Sequence, residues 1–479
     1  MVNNRQNSEE NTFRRSFGIH LTSREVFLEF IFPEIKDKLW QHRWVDLYAG
    51  EGNLILPILN SIPPENRLKF FKHHIFLSDI HSEMVEKCIE NVGNYGIPSE
   101  AALKNIKVRN NLENFPIFLK DDKLPVYHIT NPPYLYLGYI KKHKETQKYL
   151  NLFQGENEGY QDLYQIAMIN DLRNNIENLI YIIPSNFLFG ASVSNKFRLN
   201  FLKYYTIGKM YIFETKIFEY TGTNICIGFF KKKSIPKSES IEFNAIKIKN
   251  RGVKYSKSYI LKPDFNYRAG SEFDEFLEEY QVSSPLKIKY YLLKKDVLQN
   301  LGDNKLKVID ANEYHNNQYR KLTIEVNDWL KDKIQSNILY VRTVDTGSYE
   351  GRVGLELISE DFNVNAIFVS GNTYRTHPIQ IFFEPIIALD EQILVKDYFN
   401  FILECFRKKL DSGFLTTYKY SKAEYTRKYL GLTQVRKIIQ TFPHRNMSKK
   451  IRENLKDLIK EKDFKGVLKQ LEACKKESD

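Results

Sequence analysis

The chain has 479 residues, a net charge of +12 and a pI of about 9.1, with 42% hydrophobic and 27% charged residues. That length is too great for one ordinary core and suits two domains, and the composition excludes a wholly disordered chain. The basic balance favours a polyanionic partner, nucleic acid or an anionic membrane surface, although a lysine-rich surface from an AT-biased coding sequence would account for the same charge.

No membrane span is expected, because the longest apolar stretches, such as Ile379 to Leu389, are short and interrupted by Glu384 and Pro385. The opening "MVNNRQNSEENTFRR" is polar and lacks the apolar core of a signal peptide. Cys88, Cys226, Cys405 and Cys474 show no paired spacing, so neither a disulfide framework nor a metal site is expected, and a reducing cytoplasm fits.

In chain order, Arg43 to Tyr48 reads as a short strand that runs into Gly50-Glu51-Gly52 and a helical run, Leu54 to Leu59. A second strand, His74 to Ser78, ends at Asp79 and precedes a helix with Met84, Val85, Cys88 and Ile89 at helical spacing. Ile106 to Val108 and Val126 to Ile129 read as the third and fourth strands, Asp162 to Asn174 as a helix, and Asn178 to Ile183 as a buried strand closed by Pro184. Strands alternating with helices indicate an α/β fold with a mostly parallel sheet. The charged stretch "KKKSIPKSES", residues 231 to 240, reads as the seam, dividing the chain into domains 1–235 and 236–479. Beyond it the alternation fades into strand-like pieces (Ile241 to Ile248, Ile338 to Val344, Asn365 to Val369, Pro378 to Phe383) and a helical end, with no internal repeat.

Three strand ends carry chemistry. "VDLYAGEGNL", Val45 to Leu54, is a strand running through glycines into a helix, a geometry that lets a ligand approach the backbone. Position 55 is isoleucine where a dinucleotide fingerprint would need glycine, so a nicotinamide cofactor is disfavoured; a tight turn without any ligand is the competing reading. Asp79 stands where doubly wound folds place an acid on ribose hydroxyls, although a helix-capping aspartate reads the same way. At the end of the fourth strand, Asn131-Pro132-Pro133-Tyr134 offers a side-chain acceptor made rigid by two prolines, a second acceptor in the Pro132 carbonyl, and an aromatic face for a base. Two acceptors aimed at one exocyclic amine would hold its hydrogens and keep its lone pair out of the ring.

The glycine turn followed by this tetrapeptide and a large extra region resembles the gamma class of AdoMet-dependent DNA adenine-N6 methyltransferases of restriction–modification systems, over roughly residues 14 to 232. The resemblance implies an N-terminal Rossmann-like class I methyltransferase domain with a mostly parallel seven-stranded sheet, followed by a C-terminal mixed α+β target-recognition domain. It implies S-adenosyl-L-methionine as cofactor, double-stranded DNA as partner, a separately encoded cognate restriction endonuclease, and a monomer on DNA. Carried over residue by residue, it assigns the cofactor to Thr22, Asp46, Ala49, Gly50, Gly52, Asp79, Ile80 and Asn111, where Asn110 or Asn111 replaces the family's usual aspartate. Catalysis falls to Asn131, Pro132, Pro133 and Tyr134, with Tyr134 and Phe218 stacking on a base flipped from the duplex. "DLY" at 162–164 and "IIPSNFLFG" at 182–190 resemble the family's later motifs. The segment 138–160, lysine-rich and without an obvious core face, is expected to be a mobile loop over DNA. In the second half, residues 406–445 interleave basic, aromatic and hydroxyl groups, which suits phosphate contact by Arg407, Lys408, Lys419, Lys422, Arg427, Lys428, Arg436 and Lys437. The loops 340–354 and 370–380 are expected to enter a groove. The tetrapeptide also occurs in RNA adenine-N6, ribosomal guanine and protein glutamine methyltransferases, and a non-enzymatic DNA-binding protein on this fold is a further alternative.

Overall fold

The computed structural model describes residues 22–121, 123–190, 192–215, 224–249, 252–344, 352–373, 376–410, 416–417 and 428–476. It divides into two units with a boundary at 269/270. Among the described residues, no helix is long and apolar enough to cross a membrane.

The first unit is built on one nine-stranded sheet. Its strands are β1 (Arg43–Asp46), β2 (Ile75–Asp79), β3 (Ile106–Val108), β4 (Val126–Thr130), β5 (Asn178–Pro184), β6 (Tyr205–Phe213), β7 (Ile225–Lys232), β8 (Ile241–Ile248) and β9 (Lys254–Leu261). They lie in the order β3-β2-β1-β4-β5-β7-β6-β8-β9. β1 to β5 pair in parallel, β7 runs antiparallel between β5 and β6, β8 is parallel to β6, and β9 closes the edge antiparallel. The central strands are continuous apolar runs because helices cover both faces: every residue of β2 is buried, and all of β5 after Asn178. β9, at the rim, alternates exposed and covered positions instead.

The first seven strands follow the expected doubly wound pattern, but the sheet has nine strands, not seven. Residues 241–248 are therefore not the start of the second domain. They extend the first sheet, with Lys209 opposite Asn244 and Phe213 opposite Ile248. The stretch at 231–240 is a connection within that unit, tied down where Lys233 and Lys237 donate their N–H groups to the carbonyls of Tyr204 and Lys203. The strand order reverses between β1 and β4, so the carboxyl ends of those strands open a crevice, the place where open α/β sheets bind ligands.

Before β1, residues 24–35 wind through a short helix and a π-turn, Phe27–Ile31, and bury Phe27, Phe30, Ile31 and Ile35 against the sheet. The helix Ser82–Gly93 buries Met84, Val85, Cys88 and Val92, an i, i+4, i+8 stripe. The helix Leu163–Arg173 is buried on all sides from Leu163 to Ile169, matching its lack of a polar face.

The second unit holds two four-stranded sheets. One joins β10 (Lys287–Tyr290), β17 (Ile379–Glu384), β14 (Leu339–Arg342) and β15 (Gly354–Leu357) in that order, all antiparallel. The other joins β11 (Leu292–Leu293), β16 (Ala366–Val369), β12 (Asn304–His315) and β13 (Gln318–Val326). The 22-residue helix Leu389–Leu410 packs Val395, Tyr398, Phe399 and Ile402 against the first of these sheets, and the helices Leu432–Ile439, Lys449–Lys460 and Phe464–Lys476 complete that core.

Candidate active site

Asp46 ends β1 almost fully buried. Its Oδ1 accepts from Thr130 Oγ1 at 2.5 Å and from the Tyr48 N–H at 3.0 Å. The chain then turns with positive φ at Gly50 (52°) and Gly52 (87°), closed by the Gly52 N–H on the Ala49 carbonyl at 2.8 Å. The two glycines serve different ends. A Cβ at position 52 would lie 2.6 Å from Leu56 Cδ1 and 2.9 Å from Cys88 Sγ, so that glycine lets the turn pack on the helix behind it. Gly50 faces the cleft and donates its N–H to Asp79 Oδ2 at 2.9 Å, while Asp79 Oδ1 accepts from the His81 N–H at 2.9 Å. Asp79 is thus both a turn clamp and an acid in the crevice. Desolvation is the largest influence on both carboxyls: Asp46 is pushed up from 3.8 to about 6, and Asp79 is also raised.

Asn131, directly after β4, donates from Nδ2 to Thr22 Oγ1 at 3.0 Å, and its Oδ1 faces the Tyr134 hydroxyl. That hydroxyl also lies 2.6 Å from the Ile182 carbonyl on β5. The carboxamide is thus placed with its nitrogen on Thr22 and its oxygen toward Tyr134. Tyr134 is 9% exposed and packs edge-on to Tyr164 at 6.5 Å, so most of its ring is a wall of the core and only a sliver is open for stacking. Asp162 accepts from the Leu135 N–H at 3.0 Å, tying the tetrapeptide to the helix that follows, and desolvation pushes its carboxyl up to about 7.

These groups border a cleft of ≈ 880 Å³ open to solvent. Thr22, Asp46, Ala49, Gly50, Asp79, Ile80, Asn111, Asn131 and Pro133 all line it, whereas Gly52, Pro132 and Tyr134 stand behind its wall. Nine of the residues singled out from five separate stretches thus meet in one place. Asn111 rather than Asn110 is the buried member of its pair, at 2% exposure. Its Nδ2 donates to the Leu47 carbonyl at 2.5 Å and to Ser78 Oγ at 3.0 Å; Oδ1 is buried with no partner among the described residues.

Sequence reading missed Tyr48, Glu51, Asn53, Arg109 and Tyr149 on the cleft wall. The first three sit inside the glycine-turn stretch and could have been found there. Tyr149 could not, because the segment 138–160 is not the mobile loop expected. It folds into a helical turn, Leu137–Ile140, and 3-10 turns over Lys144–Phe153, and it buries Ile140, Leu152 and Phe153 against Leu135, Leu163 and Ile166. Tight 3-10 turns lack the 3.6-residue period, which is why no core face showed in the sequence.

Phe218, Lys419, Lys422 and Arg427 lie outside the described residues, as do parts of the loops 340–354 and 370–380 and the side chains of Lys408 and Lys428. Arg407 is mostly covered and pairs with Glu404 at 3.1 Å. Arg436 and Lys437 are exposed on the helix Leu432–Ile439, with the Arg436 guanidinium 5.3 Å from the centre of the Tyr290 ring.

The strand order, the crevice at β1/β4 and the acid-and-glycine strand ends define a doubly wound ligand-binding domain. More particularly, residues 19–218 match the model of the Eco57I restriction-modification methylase family, the kind of protein that the two motifs implied. Among solved structures, the Type IIL restriction-modification enzyme MmeI in complex with DNA is similar over 97% of this chain and 76% of its own, at 12% identity and a TM-score of 0.53, a likeness of fold. A modification subunit of a putative type I restriction enzyme from Vibrio vulnificus YJ016 is similar over 70% of this chain at 16% identity and a TM-score of 0.37. The chain spans 58% of the length of that subunit. No curated protein matches the sequence.

Proposed function

We propose that this chain is the DNA methyltransferase of a restriction–modification system, moving a methyl group from AdoMet to N6 of an adenine turned out of duplex DNA. The observation that carries the reading is the Asn131 carboxamide, held between Thr22 and Tyr134 at the rim of a cleft formed by the ends of β1, β2 and β4.

The cleft fits AdoMet. Asn111 brings a buried, unpartnered acceptor to its wall. Asn111 Oδ1 would accept from the adenine amine, Asp79 would take the ribose hydroxyls, Ile80 would cover the base, and Thr22 with the Asp46–Gly50 turn would hold the amino-acid end. When bound, AdoMet supplies a methyl group already activated on sulfonium.

The protein's own part is positioning. Asn131 accepts a hydrogen of the target amine, aiming its lone pair at the donor; because Thr22 and Tyr134 together hold the amide, little reorientation is needed as the reaction proceeds. The sheet edge beside Pro133 receives the base, whose extrusion costs about a few kcal/mol. The second unit acts as the target-recognition module, with Arg436 and Lys437 on phosphates, and a cognate endonuclease encoded separately cuts unmethylated sites. Incubation of the purified chain with tritiated AdoMet and duplex DNA tests this directly: label is expected on adenine N6 of DNA, and label on RNA or polypeptide instead would overturn it.

A further inference from the structure

One buried group has no place in that chemistry. His128, on β4 three residues before Asn131, is 1% exposed. Its Nε2 lies 3.2 Å from the Leu47 N–H, a group that can only donate, so Nε2 carries no proton. The proton is on Nδ1, 2.7 Å from Asp171 Oδ2, which also accepts from the Tyr181 hydroxyl at 2.5 Å. The ring stacks on Tyr48 at 6.4 Å and meets Tyr181 edge-on at 5.4 Å. The imidazole is therefore held in one tautomer by three neighbouring elements: the turn after β1, the helix Leu163–Arg173 and β5.

The residue whose N–H it grips, Leu47, is also the one whose carbonyl, in the next peptide unit, accepts from Asn111 Nδ2. His128 holds the N–H side of the residue and Asn111 binds the C=O side. Asn111's amide is thereby turned with nitrogen inward, and its oxygen becomes the acceptor left without a protein partner. Two residues on, Thr130 from the same face of β4 grips Asp46. β4 thus sets the cofactor turn with two side chains before it delivers Asn131.

We propose that His128 is a positioning residue that, through the backbone on either side of Leu47, orients Asn111 to select the 6-amino group of the bound cofactor's purine. The proposal rests on the AdoMet reading above. Its test uses the full-length chain, S-adenosylhomocysteine, and the analogue in which inosine replaces adenosine, with dissociation constants measured calorimetrically. The wild-type chain is expected to prefer the 6-amino ligand by about tenfold or more, since the 6-oxo ligand offers Asn111 no donor. In His128→Leu that preference is expected to shrink to about twofold. In His128→Gln, whose side-chain oxygen can accept from Leu47, most of it returns.

Equal weakening of both ligands in His128→Leu, with the preference intact, would make His128 merely structural and overturn the proposal. So would a protonated Nε2 in the nitrogen NMR spectrum of the selectively labelled wild-type chain at neutral pH, a measurement that stands even where the leucine variant does not fold. Failure of the wild-type chain to bind either ligand would instead sink the AdoMet reading itself, and the proposal with it.

Discussion

The carboxyl edge of the first sheet and the second unit hold their polar side chains in different ways. At the carboxyl edge of the first sheet, the functional groups pair across long chain distances through hydroxyl, amide and backbone groups: Asn131 to Thr22, Asp79 to Gly50, Thr130 to Asp46, Asn111 to Leu47. In the second unit, several basic residues are spent on internal ion pairs, Arg342 with Asp361, Arg352 and Arg407 with Glu404, and Arg320 with Glu313. A cleft of side chains fixed on the protein, with the Asn111 Oδ1 acceptor unpartnered among the described residues, invites a small ligand. A surface with much of its charge already paired offers DNA only the cations left over, so net charge overstates the footprint.

Four measurements can break or sharpen this contrast. Asn131→Ala should lower methyl transfer by about 10³-fold or more while AdoMet affinity stays within about threefold; parallel loss of both, by calorimetry and radiolabel transfer, would make the residue structural. Gly52→Ala combines a disfavoured φ with a Cβ 2.6 Å from Leu56 and should cost about 2–4 kcal/mol in urea unfolding.

Asp46 tests the electrostatics. Its carboxyl is raised from 3.8 to about 6. Between those values the native chain keeps a proton that the unfolded chain releases. Its contribution to stability is full below pH 3.8 and is lost as pH rises through about 6. Asp46→Asn retains the Oδ1 acceptor and should stabilise the ligand-free protein by roughly 2 kcal/mol at pH 7 and hardly at all at pH 4; equal midpoints at both pH values would show that the raised carboxyl is not felt. The smallest effect separates the two kinds of cation. Arg436→Ala with Lys437→Ala should flatten the salt dependence of DNA binding by about one to two phosphate contacts, whereas Arg407→Ala should leave that slope alone and lower stability by about 1 kcal/mol.

Much of the site was legible because its residues occupy strand ends, where glycine, proline and acidic residues break an apolar run. What could not be read is pairing at a distance. The alternation in "IEFNAIKI" announces a half-covered strand but is the same whichever sheet receives it, so β8 was assigned to the wrong unit. Asn110 and Asn111 are equivalent in sequence, and only the Leu47 carbonyl and Ser78 distinguish them. Arg407 looked available because Glu404 lies one helical turn away with nothing in the pattern to show the two side chains meeting.

The two added strands bear on how the first unit can be handled in isolation. β6 is flanked on both sides, by β7 and β8, and much of its length is buried. A fragment cut at 235 would strip β8 and β9 and leave β6 as a long apolar margin with unpaired amides, an invitation to clumping through strand addition. Any excised first unit therefore has to run on to residue 269, where it ends.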